Sequence, residues 1–298
     1  MRLFALLIIS VSFAVRAEAQ VTLQFKLAEG DVIRQVMTQE MVSSSNFQGR
    51  DVSSEMKQIA HLEQRIGEVA ETGSAQVLQE ITRMQMSMKM PFGQSFEYDS
   101  DGENDQVPAM FGDLIGKMVG AEFQGTLAPT GKMTDITISE ELRDALKKTP
   151  GNPFGAGKDE DVFQQIMSQS SVAFPDHPVK EGDSWSDEIT MKMPFGEMQV
   201  DRTSTYQGTN DDGLHVIDIS LEMTVKPGDN PQMKLSIKDS TASGKLLFDN
   251  EAGRIVNLDL KQTVTMEISA AGQQITQEVS TTTKLVADNG ERTSQSAE

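Results

Sequence analysis

The sequence lacks the residues on which most disulfide, metal and catalytic sites depend. Its 298 residues include no cysteine, a single tryptophan, two tyrosines and three histidines. Without cysteine neither a disulfide nor a thiolate metal site can form, so the core must stabilise the fold. The histidines, His61, His177 and His215, have no metal-ligand spacing, and no Gly-x-Ser-x-Gly or phosphate-binding glycine motif occurs. We therefore predict a protein without catalytic activity, cofactor or bound metal.

Positive charge is scarce as well. The chain has 26 basic and 45 acidic residues, a net charge of -19. Such a surface repels nucleic acid and anionic membranes. A solvated acidic shell is the simplest interpretation, and an acidic recognition surface is the alternative. We expect no nucleic-acid partner.

The one long hydrophobic run lies at the start of the sequence. It extends from Leu3 to Val15, which is too short to span a bilayer as a stable anchor. Arg2 precedes it, and Ala17-Glu18-Ala19 follows with the small-x-small pattern of a signal-peptidase site. Residues 1–19 are therefore predicted to be a cleaved signal peptide. The mature protein is expected in the periplasm or secreted, with no stable membrane insertion after cleavage.

The remaining chain is dominated by an alternation of apolar and polar residues. Val256 to Ile268 and Ile217 to Val225 place apolar side chains at every second position, which is typical of half-buried strands. Gly, Asn and Asp fill the links between strands, as in 210–213 and 249–253. Such short links join antiparallel neighbours, so the pattern predicts a meander.

Helical spacing appears in the middle of the chain. Residues 105–119, 139–148 and 158–170 each carry apolar residues at helical intervals, and Ser139 provides an N-cap for the second. The sequence thus predicts an α+β protein that is mainly antiparallel β. We expect an internally duplicated curved sheet or half-barrel, with about three helices inserted from the first half.

Three landmarks recur in the same order and suggest a duplication. Glu29-Gly30-Asp31 matches Glu181-Gly182-Asp183, and Glu71-Thr72-Gly73 matches Asp211-Asp212-Gly213. The segment 123–136 matches 242–258. We predict a first β-rich half over 20–172 with the inserted helices, a second half over 173–287, and a disordered polar tail over 288–298. The word MKMPFG, at 88–93 and again at 191–196, falls on strands that are not equivalent in this alignment.

Two phrases carry a family resemblance. VKEGDSWSDEI, from Val179 to Ile189, and GKLLFDNEAGRI, from Gly244 to Ile255, resemble those of exported bacterial proteins of unassigned function. Such chains are distantly similar to periplasmic lipoprotein-carrier and lipid-binding half-barrels, in which a curved antiparallel sheet cups helices. The resemblance implies that fold and a hydrophobic ligand, and it implies no catalytic residues.

The candidate binding site is a line of methionines. In MQMSMKMPF alternate residues share one strand face, and methionine is flexible and polarizable enough to fit irregular apolar partners. This face could hold a hydrophobic ligand, such as an acyl chain, or a lipidated partner. The alternatives are a sheet face that only packs the helices, in a structural or interaction protein of the envelope, and a Cu(I) site of thioethers. The candidate residues are Met84, Met86, Met88, Met90, Phe92, Met191 and Met193.

An acidic turn is the best candidate for a calcium site. In YDSDGENDQ the residues Asp99, Asp101, Glu103 and Asp105 alternate. The glycine is misplaced for an EF-hand loop, so an ordinary acidic turn is the preferred interpretation.

The signal-peptide interpretation predicts the start of the mature protein. N-terminal sequencing of the exported protein is expected to begin at or near Gln20, because cleavage should follow Ala19. Retention of Met1 in protein recovered from outside the cytoplasm would contradict it.

Overall fold

One open, curved antiparallel sheet of 12 strands forms the body of the protein. The structure is a computed structural model that describes residues 20–47, 50–104, 107–140, 142–144, 172–193, 196–228, 233–270 and 273–288. The strands are β1 (Val32–Phe47), β2 (Arg50–Val69), β3 (Ala75–Lys89), β4 (Ser95–Asp99), β5 (Glu122–Leu127), β6 (Met133–Ile138), β7 (Ser184–Met193), β8 (Gly196–Thr209), β9 (His215–Pro227), β10 (Met233–Asp249), β11 (Arg254–Ala270) and β12 (Gln273–Ala287).

The strand order repeats across the sheet. The order is β6-β5-β3-β2-β1-β12-β11-β10-β9-β8-β7, with β4 attached to β3. The series β6-β5-β3-β2-β1 therefore has the same sense as β11-β10-β9-β8-β7, and β12 lies between them. Most neighbours in the sheet are also neighbours in sequence, as the short Gly- and Asn-containing links predict.

The alternation of side chains gives the sheet two different faces. Residues directly opposite each other on paired strands share a face. One row of such opposed residues crosses eight strands. We call the side of the sheet that carries this row the inner face, and the opposite side the outer face. The outer face carries cross-strand ion pairs such as Lys89–Glu55 at 2.9 Å and Lys284–Asp259 at 3.8 Å. The row consists of Met84, Ala60, Met37, Leu285, Leu258, Leu246, Ile217 and Tyr206.

Four clusters of buried side chains lie on the inner face, toward the end of the sheet where β1 begins. We call this the proximal end, and the end where β1 stops at Phe47 the distal end. The segment preceding β1 packs on both halves of the sheet, because Phe25 contacts the clusters of each half. Its ring stacks on Phe174 at 5.5 Å and meets Phe248 edge-on at 5.3 Å. These contacts fill the proximal part of the inner face.

The protein contains less helix in its described residues than the sequence predicts. Helix α1 (Ala109–Met118) lies within the first predicted helix, and it packs on the inner face through Ile115. Glu140 and 142–144 are helical, as expected for the start of the second. The third predicted helix, 158–170, lies outside the described residues, as do the signal peptide and 289–298. The fold class is therefore mainly β, and the predicted α+β class with three helices is not supported. No helix in the described ranges is long and apolar enough to cross a membrane.

The landmark turns match in geometry. Gly30 and Gly182 have φ of 86° and 89°. Gly30 lies two residues before β1 and Gly182 two residues before β7, and each of these strands pairs with the next strand along the chain. The Gly30 amide donates to Ile66 at 2.9 Å, and the Gly182 amide donates to Tyr206 at 2.8 Å. Gly73 and Gly213 both have φ of 81°, and Gly131 and Gly253 also have positive φ. All three glycine pairs thus occupy turns of the kind that the alignment predicts. The domain boundaries at 172 and 287 stay a prediction.

A comparison of two glycines separates backbone strain from steric exclusion. Gly30 and Gly131 share a φ of 86°, but a Cβ at Gly30 meets nothing within 4 Å. A Cβ at Gly131 would collide with the Val172 carbonyl oxygen and with the Phe25 ring. We expect Gly30→Ala to lower the free energy of unfolding by about 1 kcal/mol through φ strain. Gly131→Ala should lower it by about 2 kcal/mol more, because the proximal packing must shift. Urea denaturation measures both, and equal losses would contradict the close packing at Gly131.

Candidate functional site

The inner face is almost free of charge. Among the registered pairs of β1–β3 and β7–β12, its positions include three charged residues, Arg50, Asp187 and Arg202. Arg50 is exposed at the distal end of β2, whereas Asp187 and Arg202 lie opposite each other on β7 and β8. The Arg202 guanidinium donates to the two Asp187 oxygens at 2.8 and 2.6 Å, and Arg202 is 7% exposed. A buried charge needs such a partner, and the bidentate pair neutralises the charge of the buried Arg202.

The predicted methionines of β3 have the predicted orientation. Met84, Met86 and Met88 are registered with inner-face residues of β2. Lys89 forms its ion pair on the outer face, and the Gln85 amide donates to Asp99 at 2.9 Å. A slip of one residue would bury the lysine, so the polar positions fix this orientation.

These methionines differ in burial. Met84 is 1% exposed and belongs to the cluster that holds Ile115 of α1, and Met86 packs beside it. Met88 is half-buried and stands between Met56 of β2 and Phe96 of β4. The line therefore divides into a proximal part that packs the helix and a distal part that remains accessible.

The remaining predicted residues lie elsewhere. Met90 is half-buried at the start of the short 3₁₀ turn Pro91–Gly93, and the side chain of Phe92 lies outside the described set. Met191 is half-buried opposite Met198 of β8, while the side chain of Met193 is not described.

The two groups of predicted methionines do not form one site. They share the inner face, but seven strands separate β3 from β7. At about 4.8 Å per strand the two groups lie about 38 Å apart along the sheet. The alternation along a strand predicts which face a side chain occupies, but it does not predict the position of that strand in the sheet.

A larger apolar surface lies at the distal end of the second half. We call it the distal surface, and it is formed by half-buried residues outside the four core clusters. Met191, Met198 and Val225 form one row, and Ile189 and Met223 flank Val200 in the next. The alternation of apolar and polar residues over 217–225 and 256–268 identifies two of these strands from the sequence. It does not show that their apolar residues lie near each other in the sheet. Its residues are Ile189, Met191, Met198, Met223, Val225, Ile237, Met266 and Ile268.

The hydrogen-bonded pairing of β9 with β10 ends beside this surface. Pairing between β9 and β10 ends at Leu221 and Ala242, although β9 continues to Pro227. In the first half, the equivalent part of β3 pairs with β4. In the described residues no strand takes that place beside β9, so the distal parts of β9 and β10 border a gap in the hydrogen-bonded sheet.

The acidic turn is organised by an arginine. Both oxygens of Asp99 accept from Arg83, at 2.8 and 3.2 Å, and this hydrogen bonding lowers the pKa of Asp99 to about 2. The Asp99 amide also donates to Asn104 at 2.9 Å. The carboxylate is thus occupied by a cation of the protein, which argues against a calcium site. Asp105 lies outside the described residues, and no metal-holding group of His, Asp or Glu occurs among the described ones.

Two polar side chains of the core, Tyr206 and His215, contact each other. The Tyr206 hydroxyl lies 2.8 Å from Nδ1 of His215, and burial lowers the pKa of this histidine. Two open depressions, of about 360 and 710 Å³, lie largely on the outer face and are lined by charged residues such as Lys57 and Asp259. Their polar walls do not suit an apolar ligand.

Residues 73–277 match the model of a family described as "Family of unknown function (DUF6263)". The chain belongs to this family. The match covers most of the sheet, from the turn before β3 into β12. No curated protein matches the chain.

Among solved structures, the chain is similar to one described as "Lipid-protein interactions in lipovitellin", with a TM-score of 0.51 and 13% identity. The similarity covers 88% of this chain and 25% of that one, so this chain spans a quarter of the lipovitellin chain. At this identity it shows the fold alone. An outer membrane channel from Pseudomonas putida F1 matches 93% of this chain and 100% of its own, with 7% identity and a TM-score of 0.24. A DUF1329 family protein from Desulfovibrio piger matches 86% of each chain, with 9% identity and a TM-score of 0.17.

Two truncations test the division of the methionine line. Met84→Ala should lower the free energy of unfolding by about 3 kcal/mol, because it leaves a cavity under α1. Met88→Ala should cost about 1 kcal/mol or less, because a half-buried side chain loses fewer contacts. Urea denaturation of both variants measures the difference. A cost at Met88 equal to that at Met84 would show that the distal part is also filled by packing.

Proposed function

We propose that the protein is an exported, non-catalytic carrier for a hydrophobic ligand, which binds on the distal surface. The ligand class is an acyl chain, either of a free lipid or of a lipidated partner. In this proposal the sheet works as a half-barrel built from two copies of one unit, consistent with the repeated strand order and the matched turns.

The observation that carries the proposal is the scarcity of charge on the inner face. In a chain with a net charge of -19, the registered inner positions of β1–β3 and β7–β12 carry only the exposed Arg50 and the paired Asp187 and Arg202 as charged residues. The proximal part of this side needs that composition for its core. The distal surface is half-buried and lies outside the clusters, so core packing does not explain its composition. Apolar side chains that stay partly exposed outside the core clusters commonly mark a binding site.

The type of side chain agrees with an acyl ligand. Four of the eight residues of the distal surface are methionines. Thioether side chains adapt to chains of different length and curvature, whereas a rigid aromatic surface would select one shape.

The likeness to lipovitellin supports the proposal at the level of shape. That structure is described by its lipid–protein interactions, and an open antiparallel sheet of related fold is present here. The shared fold makes a lipid-facing sheet a reasonable architecture for this chain, while the apolar residues of the distal surface provide the chemical argument.

A copper-binding role is the second candidate, and one observation favours it. Met41, Met56 and Met88 lie opposite one another on three adjacent strands. Side chains opposed in this way start about 5 Å apart, closer than alternate residues along one strand. Thioethers are suitable ligands for Cu(I).

Paired substitutions on one strand test the carrier. Met223→Lys places a charge on the distal surface, whereas Thr224→Lys places it on the outer face of the same strand. Binding of a long-chain fatty acid or an apolar fluorophore to the mature protein is expected for the wild type and for Thr224→Lys. We expect at least about a tenfold loss for Met223→Lys, because an ammonium group is costly against an acyl chain. Circular dichroism confirms that both variants remain folded.

The same binding measurements also distinguish the structural role and the copper-binding role from the carrier. If the wild type binds no apolar ligand, the carrier fails and a structural or interaction role in the envelope remains. Met56→Leu keeps an apolar side chain of similar size but removes the thioether. Cu(I) binding that disappears in this variant would favour the copper role, while acyl-chain binding should be unchanged by it.

A further inference from the structure

The outer edge of β7 ends the sheet without a partner strand among the described residues. This edge differs from the equivalent position in the first half of the repeat. Its counterpart in the first half is β1, and the position beside β1 is occupied by β12, which pairs with it from Gln35 to Ser45. The repeat unit is thus completed by an antiparallel strand in one half and left open in the other.

The equivalence of β1 and β7 is defined residue by residue. The amide of Ile66 donates to Asp31 at 2.9 Å, and the amide of Tyr206 donates to Asp183 at 2.9 Å. Val32 pairs with Arg65 as Ser184 pairs with Thr205. Continuing this alignment, the segment 187–193 of β7 corresponds to 35–41 of β1, which lies within the part that β12 covers.

The β7 edge is suited to pairing, whereas the opposite edge of the sheet is not. The β7–β8 register runs from Ser184 to Met193 without a shift. At the other edge, β6 is six residues long, its register with β5 is interrupted, and Asp135 has a φ of 53°. Irregular and short edges resist strand addition, and long regular ones invite it.

The sequence of β7 is complementary to itself. In an antiparallel pair of two β7 strands centred on Thr190, Glu188 lies opposite Lys192 of the second copy, twice by symmetry. Ile189 then lies opposite Met191 on the inner face. The outer face of this edge has an excess of negative charge, because Glu188 and Asp201 are directly opposite and share the Gln199 amide at 3.0 and 3.1 Å. A lysine from the second copy would relieve this repulsion.

We infer that two copies of the chain associate through antiparallel pairing of their β7 edges, centred on Thr190. The second copy takes the place that β12 takes beside β1. The two-fold axis is perpendicular to the sheet, so the inner faces join and the two distal surfaces become one. This inference is independent of the proposed ligand, because it rests on strand pairing and charge.

A charge exchange tests the pairing. Sedimentation velocity of the mature protein across the micromolar range is expected to show a concentration-dependent dimer. Glu188→Lys and Lys192→Glu should each weaken the dimer by about tenfold, because each converts two attractive cross-strand pairs into repulsive ones. The double variant E188K/K192E should restore the wild-type dissociation constant, because the pairs are then reversed but again complementary.

The control lies on the same strand and face. Ser184→Lys adds a charge outside the paired segment and should leave the dissociation constant unchanged. A wild-type protein that stays monomeric throughout this range would overturn the inference. So would a dimer that the single variants leave intact or that the double variant fails to restore. Thermal unfolding of every variant excludes loss of the fold as the cause.

Discussion

Pairing of β1 with β12 is the interaction on which the rest of the sheet depends. The last strand returns to the first, in register from Gln35↔Ala287 to Ser45↔Gln277. It joins the two series of strands, so that one inner face extends from β6 to β7. Because these partners are more than two hundred residues apart, the pairing must wait for almost the whole chain. Such non-local contacts make folding slow, and a chain without disulfides has no covalent means of holding the halves together meanwhile.

In the proposed carrier the inner face divides its area between stability and binding. The proximal part buries apolar side chains under α1 and the segment preceding β1, where Phe25, Phe174 and Phe248 meet. The ion pairs of the outer face are exposed and contribute little individually, so burial supplies most of the stability. A carrier needs a sheet that stays folded without its ligand. Filling the proximal part satisfies this need and leaves the distal surface accessible.

The sequence predicts local features of this fold well and non-local ones poorly. Period-two alternation identifies strands such as β9 and β11, and the glycines with positive φ mark the turns. Parity along β3 also assigns Met84 and Lys89 to opposite faces. The distance between the methionines of β3 and those of β7 depends on strand order, which no local pattern encodes. The Arg202–Asp187 pair could have been found, since alternation places both charges on the apolar face of one hairpin. The first predicted helix corresponds to α1 and the second begins as predicted, whereas the third lies outside the described residues.

The repeat relates the β7 edge, which has no partner strand among the described residues, to the proposed binding surface. In the first half β12 covers the edge of β1, and the inner positions of the central strands carry neutral polar side chains such as Gln39, Thr281 and Gln262. In the second half the strand at the edge carries Ile189 and Met191 instead. An edge strand with apolar residues on one face needs a cover against aggregation. In the proposed dimer each β7 strand covers the β7 edge of the other copy, and an acyl chain would find methionines of both copies on one continuous sheet. The same residues would then protect the edge and provide the ligand surface, which accounts for their concentration at this end of the molecule.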